Sequence, residues 1–390
     1  MGSAVAHRDE LESVPRVTPL VLHLPRARAE RLPGLDAARA FAVMAMVVGH
    51  TADGLLSDAS RALSWIPLYW EFRGLTAPMF LVVSGWAVAE WASRSGLTGW
   101  PLVRSKLARV ALLLGCGFVL RWPGWDVEGV LALKKVPWEH LLAFDALYCI
   151  AWSVLAGTVL FALVPALAAR RWALAGAAVG IPLASAAVHA AVVAADAPAL
   201  VRLALVSDAT SPFALFPWAG YFFAGALIGH LLPLVRGSVP RAAALLAASG
   251  VMLALTSIVA VDWSTAASPT MFAHRLGQVL AILAGVALVP AVVSKRLATV
   301  GRSSLVVYVA HLPIVYGWST SPGLVAYFGR TLQPWEVLAV AAFLLAFGLA
   351  LAAAIRWTKA AAPRLTQLLA TRGSDPARVA RGAKEARPVR

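Results

Sequence analysis

The stretch LDAARAFAVMAMVVGHTADGLL, residues 35–56, is the first part of the chain that is long and apolar enough to cross a membrane. Within it, Arg39 and His50 stand eleven residues apart, and eleven steps of an α-helix complete three turns with roughly 20° left over. The two side chains therefore share one face, roughly 16 Å apart along the helix axis. Asp36 and Asp53 fall on the same face. The sequence thus predicts a polar stripe on an apolar helix, and ionisable groups at membrane depth usually serve function.

The whole chain has the composition of a membrane protein. Of its 390 residues, 60% are hydrophobic and only 14% are charged, and the mean hydropathy is +0.75. This composition excludes an ordinary soluble domain. The net charge of +15 does not indicate nucleic acid, because the basic residues gather at the chain ends and in short loops between apolar runs. Cys116 and Cys149 lie in apolar runs, which favours buried thiols over a disulfide or a metal site.

Windows of about 20 apolar residues predict an all-α fold, a polytopic integral membrane helical bundle of about ten transmembrane helices. The predicted spans lie near 35–56, 75–92, 107–121, 141–166, 173–195, 212–233, 242–262, 274–293, 303–321 and 335–356. Residues 35–356 would form this membrane domain. Residues 1–34 are expected to be a cytoplasmic, disordered lead-in, and residues 357–390 a basic cytoplasmic tail.

The distribution of basic residues predicts the orientation of the chain. With both termini in the cytoplasm, the inside segments hold roughly three times as many Lys and Arg residues as the outside loops. We therefore expect a multi-pass protein of a bacterial inner membrane with both termini cytoplasmic. The external loops would lie near 57–74, 122–140, 196–211, 263–273 and 322–334.

Later runs add polar and small residues at membrane depth. LTAPMFLVVSGWAVAE (75–90) opens the second span, and LFPWAGYFFAGALIGHLL (215–232) opens the sixth. LATVGRSSLVVYVAHLPIV (297–315) opens the ninth with Arg302, and it places Tyr308 and His311 three residues apart on one helix face. Because His311 belongs to a different span, it is expected to stand apart from the polar stripe of the first helix.

Together these runs resemble the membrane-bound acyltransferase superfamily, which includes the acyltransferase-3 proteins and the heparan-α-glucosaminide N-acetyltransferase-like proteins. GLDAARAFAVMAMVVGHTAD (34–53) is similar to the start of the family, where an Arg is followed eleven residues later by the His regarded as essential. FDALYCIAWSVL (144–155) resembles the fourth-span block of the N-acetyltransferase-like branch. The resemblance covers roughly residues 33–320. One departure is Ala40, where the family usually has Gly.

The resemblance implies transfer of an acyl group, most often acetyl, from cytoplasmic acyl-CoA to a hydroxyl or amine of a glycan or lipid-linked sugar at the outer face. The acyl-CoA would be a co-substrate, with no permanently bound cofactor. The chemistry of the residues suits these roles, since a neutral imidazole can take a proton near neutral pH or accept the acyl group itself. An Arg can hold phosphate through paired hydrogen bonds.

The candidate site residues follow from these roles and from their positions along the spans. His50 and His311 are the catalytic candidates, with the choice between base and covalent acyl carrier left open. The donor-binding candidates are Arg39, Arg302 and Tyr308, and the acceptor-binding candidates are Asp53, Asp145, Tyr148 and Arg275.

A different class of protein also fits the polar stripe. In a non-enzymatic transporter or flippase of glycan or lipid cargo, the same Arg and His would bind an anion or relay protons. An acyltransferase releases free CoA in detergent without a gradient, whereas a transporter needs two compartments. The lipid bilayer is a partner in both cases, and the sequence leaves a homo-oligomer open.

Overall fold

Helices form nearly all the regular structure of the residues that are described. A computed structural model describes residues 33–123 and 138–373, with side chains for 34–123 and 138–361. The first half contains α1 (Pro33–Leu55), α2 (Asp58–Arg61), α3 (Ile66–Arg73), α4 (Thr76–Ser95), α5 (Gly99–Leu120), α6 (Trp138–Leu142), α7 (Ala146–Leu163) and α8 (Leu167–Ala194). The second half contains α9 (Ala199–Leu205), α10 (Leu215–Leu231), a 3-10 turn (Leu232–Leu234), α11 (Ser238–Ile258), α12 (Pro269–Ala287), α13 (Ala291–Arg302), α14 (Ser304–Tyr316), α15 (Leu324–Phe328) and α16 (Pro334–Gly373).

The all-α membrane fold is confirmed, and each predicted span overlaps a long helix. Among the described residues, seven helical segments are long and apolar enough to cross a membrane, and the bent pair of α13 and α14 makes eight. Helices α1 and α5 do not count among them, because α1 carries Asp36, Arg39 and Asp53 and α5 carries three basic residues. The number of ten spans stays a prediction. The second half of the expected tail, 374–390, lies outside the described residues, and the first half continues α16 past Arg356 to Gly373.

Helices α4 and α10 approach so closely that backbone meets backbone. A Cβ added at Gly85 would overlap the carbonyl oxygen of Phe222, and one added at Gly225 would overlap that of Val82. Small residues permit this approach, which is the usual basis of tight helix packing in membranes. The pair fixes the centre of the larger core, where Phe222 and Tyr221 are fully buried.

Helix α1 packs against α4, α13, α14 and α16, so its polar stripe faces other helices instead of lipid. Val43, Met46 and Val47 of α1 form a second core cluster with Val307 of α14 and Leu344 of α16. Apolar side chains of α14 and α16 therefore pack against the α1 residues next to the stripe.

The predicted ninth span, 303–321, begins at a bend and is helical only as far as Tyr316. Helices α13 and α14 meet at Ser303 with a bend of 52°, and α14 ends at Tyr316, before a two-stranded hairpin of β1 (Gly317–Trp318) and β2 (Ser321–Pro322). Gly301 lets α13 pack closely on α1 just before the bend, because a Cβ there would overlap the backbone of Asp36. Segment 57–74, expected as a loop, contains α2 and α3, with the side chain of Ser57 capping α2.

Candidate functional site

Arg39 lies near the start of α1, where its side chain meets Asp36 one turn earlier. Arg39 Nη1 lies 2.9 Å from Asp36 Oδ1, and Asp36 is 3% exposed. Arg302 at the end of α13 approaches the other carboxylate oxygen at 4.0 Å. A buried carboxylate is stable only with such partners, so Asp36 anchors both cations and joins α1 to α13.

Arg39 also lines a cavity of about 190 Å³ between α1, α4, α5, α7 and α14. Two further basic side chains of α5, Lys106 and Arg109, line the same cavity. Its remaining lining side chains are mostly apolar, with hydroxyl groups from α4 and α14: Phe80, Ser84, Ala87, Val88, Leu113, Ala146, Leu147, Ile150, Val154, Ser304, Leu305 and Tyr308. Asp36 compensates part of the charge of Arg39, but with Lys106 and Arg109 the cavity keeps a net positive charge, which favours an anionic ligand.

Helix α5 runs along the cavity, which its residues Lys106, Arg109 and Leu113 line. Gly117 lies against Tyr148 and Asp145 at the start of α7, and Arg109 stands eight residues earlier, roughly 12 Å along the helix axis. The basic side chains of α5 therefore occupy one end of the cavity, and Ala146 and the start of α7 lie toward the other end.

Tyr308 connects the cavity to a pair of histidines. Its ring lies edge-on to the ring of His311 one turn later, with centroids 6.0 Å apart. The His311 ring in turn lies 5.4 Å from the ring of His50 on α1. The expectation that His311 stands apart from the first-helix stripe is wrong, because the bend at Ser303 and the packing of α14 on α1 bring the two imidazoles together.

Tyr316, the last residue of α14, holds His50 from the other side. The Tyr316 hydroxyl lies 3.2 Å from His50 Nδ1 and also 3.2 Å from Asp53 Oδ2. Asp53 is paired at 2.9 Å with Arg73 of α3. The hydroxyl also lies 3.2 Å from the carbonyl oxygen of His50. Since a carboxylate and a carbonyl oxygen only accept hydrogen bonds, Tyr316 donates to one of these two oxygens and accepts from His50 Nδ1–H. This assignment leaves Nε2 of His50 with its lone pair.

His311 likewise has its proton on Nδ1 and a lone pair on Nε2. Its Nδ1 donates to the carbonyl oxygen of Val307 at 2.9 Å, which places the proton on Nδ1. Within the described part of the chain, the buried Nε2 atom of His311 has no hydrogen-bond partner. The site therefore contains two neighbouring imidazoles whose Nδ1 atoms are held and whose Nε2 atoms can act as bases or nucleophiles.

The remaining candidates lie farther from the histidines. Asp145 caps α7 by accepting from the backbone N–H of Tyr148 at 2.8 Å, and Tyr148 donates to the carbonyl oxygen of Leu141. Through these contacts both residues stabilise the start of α7 at the edge of the cavity. Arg302 lies on the Asp36 side of α13, and Arg275 lies over the ring of Trp263. The structure brings Arg39, Tyr308, His311, His50 and Asp53 into one connected arrangement, and their functional roles stay predictions.

Sequence reasoning missed four residues of this arrangement: Lys106, Arg109, Arg73 and Tyr316. The two α5 residues were counted only as markers of orientation, although their spacing of three places both on one helix face. For Tyr316 the sequence offers no signal, since it lies 266 residues from His50.

Comparison with known proteins agrees with this architecture. A family model of the acyltransferase-3 type, described as an acyltransferase domain, matches residues 32–357. A search of curated proteins found no significant match. The matched range includes the polar stripe of α1, the cationic cavity, both histidines and most of α16. The chain is therefore a membrane acyltransferase and belongs to the acyltransferase-3 family.

Proposed function

We propose that the protein transfers an acetyl group from cytoplasmic acetyl-CoA to a hydroxyl or amine of a glycan or lipid-linked sugar at the opposite face of the membrane. The observation that carries this proposal is the continuous path from the cationic cavity through Tyr308 and His311 to His50 and Tyr316. Such a path links a site for an anionic donor to a pair of potential bases. Family membership supports an enzyme over a transporter.

The cavity has a cationic part for the phosphates of acetyl-CoA and an apolar part for its pantetheine arm. Arg39, Lys106 and Arg109 would bind the phosphates of the coenzyme, with Arg39 able to form paired bonds. The apolar walls formed by residues such as Leu113 and Ile150 would accommodate the uncharged pantetheine arm. The thioester would then lie near Tyr308, next to the histidines.

The histidines supply proton transfer for the reaction. The acceptor O–H or N–H attacks the thioester carbonyl carbon, and Nε2 of His50 or His311 takes the proton as the new C–O or C–N bond forms. The C–S bond breaks, and the thiolate of CoA takes the proton from the imidazolium. Tyr316 and Asp53 hold the ring of His50 so that Nε2 faces the reacting atoms.

The proposal includes an orientation in the membrane. The excess of basic residues in one set of loops supports cytoplasmic termini, as in a bacterial inner membrane. Arg39 near the start of α1 then lies toward the cytoplasm, where acyl-CoA is found, and Asp53 with Arg73 lies toward the outside.

The test uses the purified full chain in detergent with radiolabelled acetyl-CoA. We expect saturable binding that weakens about tenfold or more in Lys106→Ala and Arg109→Ala, since each removes a charged partner of phosphate. Arg104→Ala, on the same helix but outside the cavity lining, is the matched control. Unchanged binding in both cavity variants would contradict the donor site.

A second measurement separates donor binding from chemistry. His50→Ala should bind acetyl-CoA normally and lose the release of free CoA in the presence of a glycan extract. If a stable acetyl group is trapped on His50 in the absence of acceptor, His50 acts as a covalent acetyl carrier and not as a general base. Wild-type CoA release by His50→Ala would refute the catalytic assignment.

A further inference from the structure

A second polar cluster lies at the same end of the bundle as the C-terminal end of α1. It joins Glu71 of α3 to His274 and Gln278 of α12. Glu71 Oε1 accepts from Gln278 Nε2 at 2.6 Å and lies 3.2 Å from His274 Nε2. Thr256 of α11 lies 3.2 Å from His274 Nδ1 and so fixes the other side of the imidazole. The donor cavity and the histidine pair involve none of these groups.

The cluster has hydrogen-bonding capacity that the described residues leave unused. Gln278 Oε1 is buried and has no partner among them, although a buried amide oxygen normally has one. Glu71 Oε2 makes no hydrogen bond or ion pair within the described ranges either, and the Glu71 side chain is 38% exposed. The cluster therefore leaves two acceptor oxygens unpaired, Oε1 of Gln278 within the protein and Oε2 of the partly exposed Glu71, and Glu71 is the one that a ligand can reach.

Arg275 adds donors beside these acceptors. Its guanidinium lies 5.9 Å from the ring centroid of Trp263, and in the part of the chain described it forms no hydrogen bond or ion pair. Trp263 is 51% exposed and also meets the edge of the His274 ring. An exposed indole next to paired donors and acceptors is a combination that fits a sugar ring, whose hydroxyls donate and accept and whose C–H face is apolar.

The end of α3 connects this cluster to the histidine site. Arg73, two residues after Glu71, reaches the carbonyl oxygen of Gly49 at 3.4 Å and pairs with Asp53. Gly74 lies against Arg275, since a Cβ there would be 3.2 Å from Nη2. One short turn of chain therefore borders both the cluster and the residue that precedes His50.

We propose that Glu71, Gln278, Arg275 and Trp263 form a binding subsite for a neutral pyranose unit of the acceptor. Glu71 Oε2 accepts hydrogen bonds from sugar hydroxyls while Gln278 holds the other carboxylate oxygen, Oε1 of Glu71. Arg275 donates to ring or hydroxyl oxygens, and Trp263 covers the apolar face. This inference rests on the proposed function for its role in catalysis. Binding of the sugar itself does not depend on acyl transfer.

Saturation-transfer difference NMR on the purified full chain tests the subsite without any chemistry. The probes are methyl glycosides of glucose, galactose, mannose and N-acetylglucosamine, with methyl β-D-glucuronide as an anionic comparison. We expect at least one neutral glycoside to bind, with roughly tenfold weaker binding in Glu71→Gln and Trp263→Ala, since hydrogen bonds to a carboxylate and stacking each contribute about this much. Glu336→Gln, a surface carboxylate that bonds to Gln333 N–H, is the matched control.

The outcomes separate the subsite from the proposed reaction. Loss of glycoside binding in the cluster variants, with normal binding in His50→Ala, supports the subsite even if no acetyl transfer is found. If acetyl transfer occurs and Glu71→Gln leaves the KM for a glycoside acceptor unchanged, the subsite is refuted and the acyltransferase proposal remains. Binding of the glucuronide alone, or of no glycoside, also refutes the subsite. Equal melting temperatures of the variants exclude misfolding as the cause.

Discussion

Replacing Tyr316 by Phe tests whether the hydroxyl on α14 positions His50. The change removes one oxygen that bridges His50 Nδ1 and Asp53 Oδ2 at 3.2 Å each. Asp53 keeps its ion pair with Arg73, and the Tyr316 side chain is exposed, so the fold should be unaffected. A hydrogen bond with a charged partner contributes about 1.5–3 kcal/mol. Since 1.4 kcal/mol corresponds to about tenfold in rate, kcat should fall by about tenfold to a hundredfold.

The assay follows release of free CoA by the purified full chain at varied acetyl-CoA. We expect kcat to fall with little change in the KM for acetyl-CoA, because Tyr316 is not among the residues that line the donor cavity. The double variant Tyr316→Phe/His50→Ala should have the same kcat as His50→Ala alone, since the Tyr316 hydroxyl acts through the imidazole. A wild-type kcat for Tyr316→Phe, or a full additional loss in the double variant, would show that Tyr316 does not position His50.

Three further predictions concern the histidine pair, the packing and the orientation. His50→Ala and His311→Ala should each lower kcat at least about a hundredfold in the CoA-release assay, and normal turnover in one variant would assign proton transfer to the other residue. Gly225→Ala should lower the melting temperature, because overpacking costs about 1–3 kcal/mol, whereas Gly250→Ala, with open space around it, should not; equal melting temperatures would contradict the tight contact. A cysteine at position 375 on a cysteine-free background should resist labelling from outside intact cells, and labelling there would reverse the orientation.

The polar stripe of α1 could be predicted because it depends on helix geometry alone. The spacing of Arg39 and His50 fixes their common face whatever the helix packs against. The contacts that give these residues their surroundings could not be predicted. Arg73 contacts Asp53 and Tyr316 contacts His50 only after α3 and α14 have packed against α1. A single sequence does not indicate which distant residues will make such contacts.

The break between α13 and α14 was missed for a different reason. A hydropathy window averages over about 20 residues, so an apolar run with a polar segment before it is read as one straight span and one loop. Helix α13 is amphipathic and its Gly301 packs on the backbone of Asp36. This close approach of two backbones is a tertiary contact, which a hydropathy window does not detect. The prediction that His311 lies apart from His50 failed because of this bend.

The bend at Ser303 also gives the cationic cavity a source of positive potential that does not depend on any ionisable group. Helix α14 begins inside the bundle, its first turn has no side-chain cap, and Ser304 and Leu305 line the cavity next to Arg39. The peptide dipoles of α14 therefore direct their positive end toward the place where phosphate would bind. Backbone N–H groups keep their protons at every pH and are not altered by side-chain substitution. The attraction of the cavity for an anion is thus partly a property of where the chain is broken, and it survives changes in acidity that would neutralise a lysine.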